Sequence, residues 1–239
     1  MKVARYFVFC LVGIATLVVG DNAHAQQGKW GVGGFVDYNL PMTQLRKRWG
    51  NEAKYGGSLL YVSSPRTTIE IEYNRTVADN GKPASEPFVY GVDQKSYMSP
   101  KGISKITFNN LIVNALLFVG EENQTHGFKA RDYRYYVLVG GGIYRYKAVN
   151  KNLVYPAQTT DPIDLSLVMD PQIDQRYTLG ANIGAGVEGF VTENLSVDLR
   201  ARYNFVVGEL RPMLYYGLER VRPLQMCDIG AGMKFYFWR

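Results

Sequence analysis

Residues Thr67 to Val77 alternate in character: Ile69, Ile71 and Tyr73 fall on one side of an extended chain, and Glu70, Glu72 and Asn74 fall on the other. Successive side chains of a strand point to opposite faces, so a period of two describes a strand lying between two unlike environments. The pattern recurs along the chain. Trp30 to Leu40 sets Trp30, Val32, Val36, Tyr38 and Leu40 against Asp37 and Asn39, and Lys54 to Val62 sets Tyr55, Leu59 and Tyr61 against Gly56 and Ser58. Ser196 to Val207 sets Val197, Leu199, Ala201, Tyr203, Phe205 and Val207 against Asp198, Arg200, Arg202 and Asn204. Met226 to Trp238 sets Cys227, Ile229, Ala231, Met233, Phe235 and Phe237 against Asp228, Gly230, Gly232, Lys234 and Tyr236. Ile103 to Val119, Tyr133 to Lys147 and Tyr177 to Val191 bring the strands to about eight. The first two of these are apolar on both faces in places, which leaves their register open.

The segment from Tyr177 to Val191 contains Gly184-Ala-Gly186-Val-Glu-Gly189, the G-x-G-x-x-G spacing of a dinucleotide-binding loop. That loop needs a tight turn from a strand into a helix whose N-terminus holds the pyrophosphate. Here the glycines sit inside one alternating strand, and Thr192-Glu-Asn-Leu195 reads as a turn into another. The expected role is structural: the glycines thin the inner face of a curved sheet where a side chain would crowd its neighbours. No cofactor is implied.

Connection lengths add the next constraint. The links between the second and third strands and between the sixth and seventh are a few residues long, and the link from the fourth to the fifth is about a dozen. The remaining links are mostly longer, as in Asp79 to Gly102 and Ala148 to Arg176. Short turns on one rim and long loops on the other are the mark of an outer-membrane barrel. The fold class expected is all-β, an eight-stranded antiparallel up-and-down transmembrane β-barrel with both termini on the short-turn rim. A soluble barrel would show the same alternation with its faces exchanged. Two features favour the membrane: Trp30, Tyr38, Tyr55, Tyr73, Tyr133, Tyr135, Tyr203 and Trp238 gather near strand ends, as interfacial girdles do, and the chain closes on the aromatic run Met233-Lys-Phe-Tyr-Phe-Trp-Arg239.

The N-terminus divides the chain. Lys2 and Arg5 precede an apolar core from Tyr6 to Gly20, and Ala23-His24-Ala25 supplies the small-x-small end of a secretory signal peptide. Residues 1–25 are therefore read as a cleaved leader and 26–239 as one barrel domain. A transmembrane helix is the alternative, but the apolar run is short and Asp21 and Asn22 end it. Cleavage takes away Lys2, Arg5 and Asp21, lowering the formal net charge of +6 by one. The remaining charge forms no continuous basic stripe, and nucleic acid is not an expected partner of an exported chain. Of the two cysteines only Cys227 remains, so an intrachain disulfide framework is excluded.

The stretch Leu179 to Phe205, LGANIGAGVEGFVTENLSVDLRARYNF, together with Ile229 to Trp238, IGAGMKFYFW, resembles the small outer-membrane β-barrel family related to OmpA, OmpX and OmpW. A glycine-alternating strand, a short Thr/Asn turn and a strand alternating apolar with charged residues up to an Arg-Tyr pair carry the resemblance. It implies an eight-stranded barrel in the cell outer membrane and no single activity. It also implies that the barrel assembly machinery reads the aromatic end of the last strand, here Phe235, Phe237 and Trp238. Arg239 follows them as a departure from the usual terminal aromatic.

The expected role is non-enzymatic, structural or in surface interaction, with a narrow channel for small or hydrophobic solutes as the alternative and a lipid-modifying enzyme as a third reading. Small barrel enzymes that cleave lipids or peptides generally need a histidine base beside a serine or carboxylates. The one histidine past the leader, His126, lies in the link between the fourth and fifth strands on the short-turn rim, whereas such catalytic groups are expected on the outer-leaflet side. One His and one distant Cys give no metal-ligand spacing. Glu70 and Glu72 share a face and as paired carboxylates could serve acid–base chemistry. An eight-stranded interior, however, is only wide enough for side chains to fill, which favours a lumen charge network of Glu70, Glu72, Glu188, Asp198, Arg200, Arg202, Asp228 and Lys234. Arg46, Lys47 and Arg48 in the first long loop, with Arg211, Arg220 and Arg222 in the last, are candidate lipopolysaccharide contacts, since Arg suits phosphate geometry. Outer-membrane lipid and lipopolysaccharide are thus the expected partners.

Overall fold

The computed structural model describes residues 28–120, 133–192 and 194–237. Eight strands form the wall: β1 (Lys29–Pro41), β2 (Glu52–Ser64), β3 (Thr67–Ala78), β6 (Ile103–Val119), β7 (Tyr133–Lys151), β8 (Gln172–Phe190), β9 (Leu195–Val206) and β10 (Leu224–Phe237). Each pairs antiparallel with its neighbours in chain order, and β1 closes the sheet on β10, Trp30 opposite Phe237 and Leu40 opposite Cys227. Closure leaves no strand edge unpaired, the condition for a sheet in lipid. The link from β3 to β6 carries a small hairpin of β4 (Phe88–Val89) and β5 (Ser96–Tyr97), which the alternation of the long strands gave no reason to expect.

The two faces of the wall are those read from the sequence. Trp30, Val36, Tyr38, Tyr55, Ile71, Tyr73, Leu199 and Phe205 are exposed on the outside, while Asp37, Asn39, Glu70, Glu72, Asp198, Arg200 and Arg202 are buried inside. This is the arrangement of a barrel whose solvent is lipid, with apolar side chains turned outward. A soluble barrel would have to leave that belt in water. No helix among the described residues is long and apolar enough to cross a membrane, which says nothing against crossing by strands.

Strands β7 and β8 are longer than the alternation indicated. β7 runs on past Lys147 to Lys151, and β8 begins at Gln172, five residues before Tyr177. At 19 residues each and the usual tilt they rise roughly 45–50 Å, well above an apolar band of about 25 Å. The alternation of residue types lapses there, with Ala148 beside Val149 in β7 and Asp174 turned inward in β8, while the inner face stays covered beneath the loops: Ala148 and Asn150 are buried. The leader, His126, Trp238 and Arg239 lie outside the described residues.

The glycines of β8 make room inside. A Cβ at Gly186 would come within 2.3 Å of the Tyr136 hydroxyl, and one at Gly184 within 2.4 Å of the Ala201 carbonyl oxygen. Gly184 to Gly189 therefore lies in mid-strand, where Gly186 accommodates a tyrosine ring of the neighbouring strand.

Candidate functional site

The lumen is filled in three layers. At the short-turn end, Leu116, Phe118, Tyr136 and Leu138 form one apolar cluster, and Leu60, Val62 and Tyr236 form another with Phe190 packed against it. The Arg134 guanidinium lies over the Phe118 and Phe190 rings, 4.1 and 4.8 Å from their centres. Its Nη2 donates to Glu188 at 2.8 Å, and Ser196 and Tyr236 donate hydroxyl protons to the other oxygen of that carboxylate.

The middle layer is charged. Arg202 reaches across the lumen to Glu72 through two bonds of 2.7 and 3.0 Å and turns its Nε to Asp228 at 3.3 Å. Asp228 also accepts from Lys54 at 2.5 Å, Asn39 at 2.6 Å and Asn204 at 2.7 Å. Arg200 donates to Asp198 at 2.8 Å and spans both oxygens of Glu70 at 3.3 Å. Lys234 and Tyr136 share one oxygen of Asp198, at 2.9 and 2.7 Å. Asn114 bridges Glu70 and Glu72, and Asn74 donates to Glu72.

All eight residues read from the sequence as a lumen set are thus buried in one connected system. Three members were absent from that set: Lys54, Asp37 and Arg134. Lys54 and Asp37 were legible by parity, since each sits beside an outward tyrosine, Tyr55 and Tyr38. Arg134 has the same flank in Tyr133 and Tyr135, but Tyr136 and Leu138, which follow it on its own face, obscured the parity. Glu70 and Glu72 are engaged by guanidinium groups, leaving neither oxygen pair open to a substrate from bulk water. Among the described residues no group of His, Cys, Asp and Glu is placed to hold a metal ion.

The third layer closes the long-loop mouth. Ile106, Phe108, Ile112, Tyr144, Tyr146, Val206, Leu224 and Met226 line the wall there, and Leu45, Trp49, Leu210 and Val221 from the loops pack down onto them. Leu45 sits in the one-turn helix α1 (Thr43–Arg46) after β1. Arg48 fastens this plug: its Nη2 donates to the carbonyl oxygens of Arg211 at 2.8 Å and Glu219 at 2.7 Å, tying the first long loop to the last. Burial pushes its guanidinium down to about 10, against the pull of Asp174.

That placement corrects one of the candidate lipopolysaccharide contacts. Arg48 is 2% exposed and serves the interior of the cap. Arg46 and Lys47, just before it, are exposed, as is Arg222. Arg211 is held to Asp174 at 2.6 Å and Arg220 to Glu209 at 3.2 Å, both with more than half of the side chain exposed. Sequence reasoning missed the burial of Arg48 because nothing local distinguishes it from Arg46.

Above the plug the loops are joined into a crown. The Tyr216 hydroxyl donates to the Val154 carbonyl oxygen and meets Ser99 Oγ, linking three of the four long loops. Tyr155 and Tyr215 meet edge to face at 4.9 Å, and Leu214 beside them is 72% exposed. Phe235 and Phe237 of the last strand face outward near the short-turn rim.

No family model and no curated protein matches the chain. Among solved structures it is similar to Neisserial surface protein A, at 13% identity and a TM-score of 0.49, covering 87% of this chain and 97% of that one. It is similar also to Ail, the attachment invasion locus protein of Yersinia pestis, at 12% identity, a TM-score of 0.45 and coverage of 88% and 100%. A third is the outer membrane protein OprG from Pseudomonas aeruginosa, at 11% identity, a TM-score of 0.40 and coverage of 90% and 99%.

Proposed function

We propose that this chain is a non-enzymatic integral protein of the outer membrane, a sealed barrel that holds a loop crown at the cell surface in a structural or surface-interaction role. The observation that carries this reading is the filled lumen. Glu70, Glu72, Glu188, Asp198 and Asp228 are each 0% exposed, and apolar layers lie above and below them. A conducting lumen would need charged groups hydrated along its length, whereas here they are spent on one another. The same pairing argues against acid–base chemistry by Glu70 and Glu72, since a catalytic carboxylate must reach the proton it moves.

Export through a cleaved leader and insertion by the barrel assembly machinery, reading Phe235, Phe237 and Trp238, complete the proposal. Membrane lipid is the partner of the wall. Of the six candidate loop cations, Arg46, Lys47 and Arg222 are exposed and in no ion pair with a described residue, and these would meet lipopolysaccharide phosphates. The experiment is a planar bilayer recording on the purified, refolded protein. No steady ionic current is expected, and a steady current altered in ion selectivity by Arg200→Ala would replace this reading with a channel.

A further inference from the structure

The charged side chains that point away from the barrel axis have a one-sided distribution. On the eight wall strands, among the described residues, they are Arg75 of β3, Lys105 of β6, and Arg145, Lys147 and Lys151 of β7. All are cations, all lie on three adjacent strands, and all lie in the half of the wall nearer the long loops. Asn109 pairs with Arg75 on one side and Arg145 on the other, so the two guanidinium-bearing strands flank it. Lys147 follows Arg145 on the same face, about 7 Å further along the strand. Lys105, opposite Val149, and Lys151, opposite Ile103, carry the patch toward the loops.

None of the five forms an ion pair with a described residue. Glu72, three residues before Arg75, is buried in the lumen, and Asp79, just past β3, pairs with none of the five. The opposite wall at the same end presents Tyr38, Leu40, Tyr203, Phe205, Gln225 and Cys227, all uncharged.

A cation on the lipid face is destabilising at mid-bilayer and tolerated near the interface. Tyr73 and Tyr177, exposed beside the patch, mark that interface, and the Arg145 guanidinium lies over the Tyr177 ring at 5.4 Å. The patch therefore sits at headgroup level with an apolar wall below it. We infer that Arg75, Arg145 and Lys147, extended by Lys105 and Lys151, form a docking surface for one lipid of the surrounding leaflet, with a headgroup bearing more than one phosphate and acyl chains along the outward apolar residues beneath. Several cations within about 10 Å of each other suit multiple phosphates, and guanidinium groups meet phosphate oxygens in pairs. This surface is distinct from the loop arginines, and it rests on the reading of the chain as a membrane barrel with its long loops outward.

The test is native mass spectrometry of the refolded barrel in detergent with added diphosphoryl lipid A, with phosphatidylcholine and inorganic pyrophosphate as the comparison probes. The wild type should retain one lipid A and bind the other two far more weakly. The Arg75→Gln, Arg145→Gln, Lys147→Gln triple variant should bind lipid A about 100-fold more weakly, each Lys or Arg near an anionic surface being worth on the order of fivefold. Lys147→Arg should keep binding, and so should Arg46→Gln, Lys47→Gln, Arg222→Gln. Equal binding by wild type and wall variant overturns the inference, as do loss confined to the loop variant and pyrophosphate binding as tight as lipid A. A heat-dependent shift in gel migration, run on each variant, reports the barrel separately: wild-type protein without that shift would sink the barrel reading, whereas a shifting wall variant with undiminished lipid binding sinks only the lipid site. Should the triple variant fail to shift, Arg145→Gln alone, expected to lose about fivefold, decides the matter by the same criterion.

Discussion

The guanidinium of Arg202 on β9 meets the carboxylate of Glu72 on β3 across the barrel, both oxygens engaged at 2.7 and 3.0 Å and both side chains fully buried. A charge pair so placed is worth little against an apolar substitute of the same volume, but breaking it leaves a charge without water or partner. Arg202→Ala should therefore cost about 3–5 kcal/mol, read as a lower urea midpoint for loss of the compact gel band. The double change Arg202→Met, Glu72→Leu should cost less than Arg202→Ala alone. A double variant less stable than the single one would mean that the pair is itself strongly stabilising.

Asp37 has the weakest claim on the network. It approaches Arg202 at 3.4 Å, its other oxygen has no hydrogen-bond partner, and the lumen sets six carboxylates against five cations among the described residues. Asp37→Asn removes the surplus charge with little change of shape. The expected result is stability within about 1 kcal/mol of wild type or above it, in contrast to Asp228→Asn, which strips a charge facing Lys54 and Arg202 and should lower the midpoint clearly. Equal losses for the two would show that Asp37 is as well compensated as Asp228.

Space inside the wall gives a third expectation. Gly186→Ala would drive a methyl group into the Tyr136 hydroxyl, displacing a ring that also donates to Asp198. A loss of about 1–3 kcal/mol is expected for such overpacking. Gly34→Ala, where a Cβ would meet nothing within 4 Å, should be close to neutral. The same unfolding series measures both, and similar losses would place the effect in strand propensity and not in the lumen.

The cap offers a fourth. Arg48→Ala removes the donor to Arg211 and Glu219 and should loosen the first loop against the last, leaving only the Leu45 and Trp49 packing and the Gln44–Glu219 contact, without opening the wall, because the eight strands do not depend on that contact. Limited trypsin digestion should then cut at Arg46 or Lys47 faster than in wild type, while the heat-dependent gel shift persists. The current across a planar bilayer should stay absent, since the charged layer below the cap is untouched. Onset of conduction in this variant would make the cap the seal.

The sequence by itself determined the wall and its sidedness. A period of two survives only where the two faces of a strand meet different media, so Thr67 to Val77 and Ser196 to Val207 declared both their extended conformation and which of their residues enter the lumen. Only the tertiary structure decided the pairings. Arg202 and Glu72 are 130 residues apart, and their meeting depends on how far successive strands are staggered when the sheet closes, a quantity no single strand carries. Strand limits followed the same physics: β7 and β8 outrun the alternation where they rise past the apolar band and their inner face is covered by folded loops, a cover that no single strand carries. The fate of Arg48 was decided last of all, because its burial depends on a loop more than 160 residues away folding over it, while Arg46 and Lys47, of like chemistry, remain in solvent.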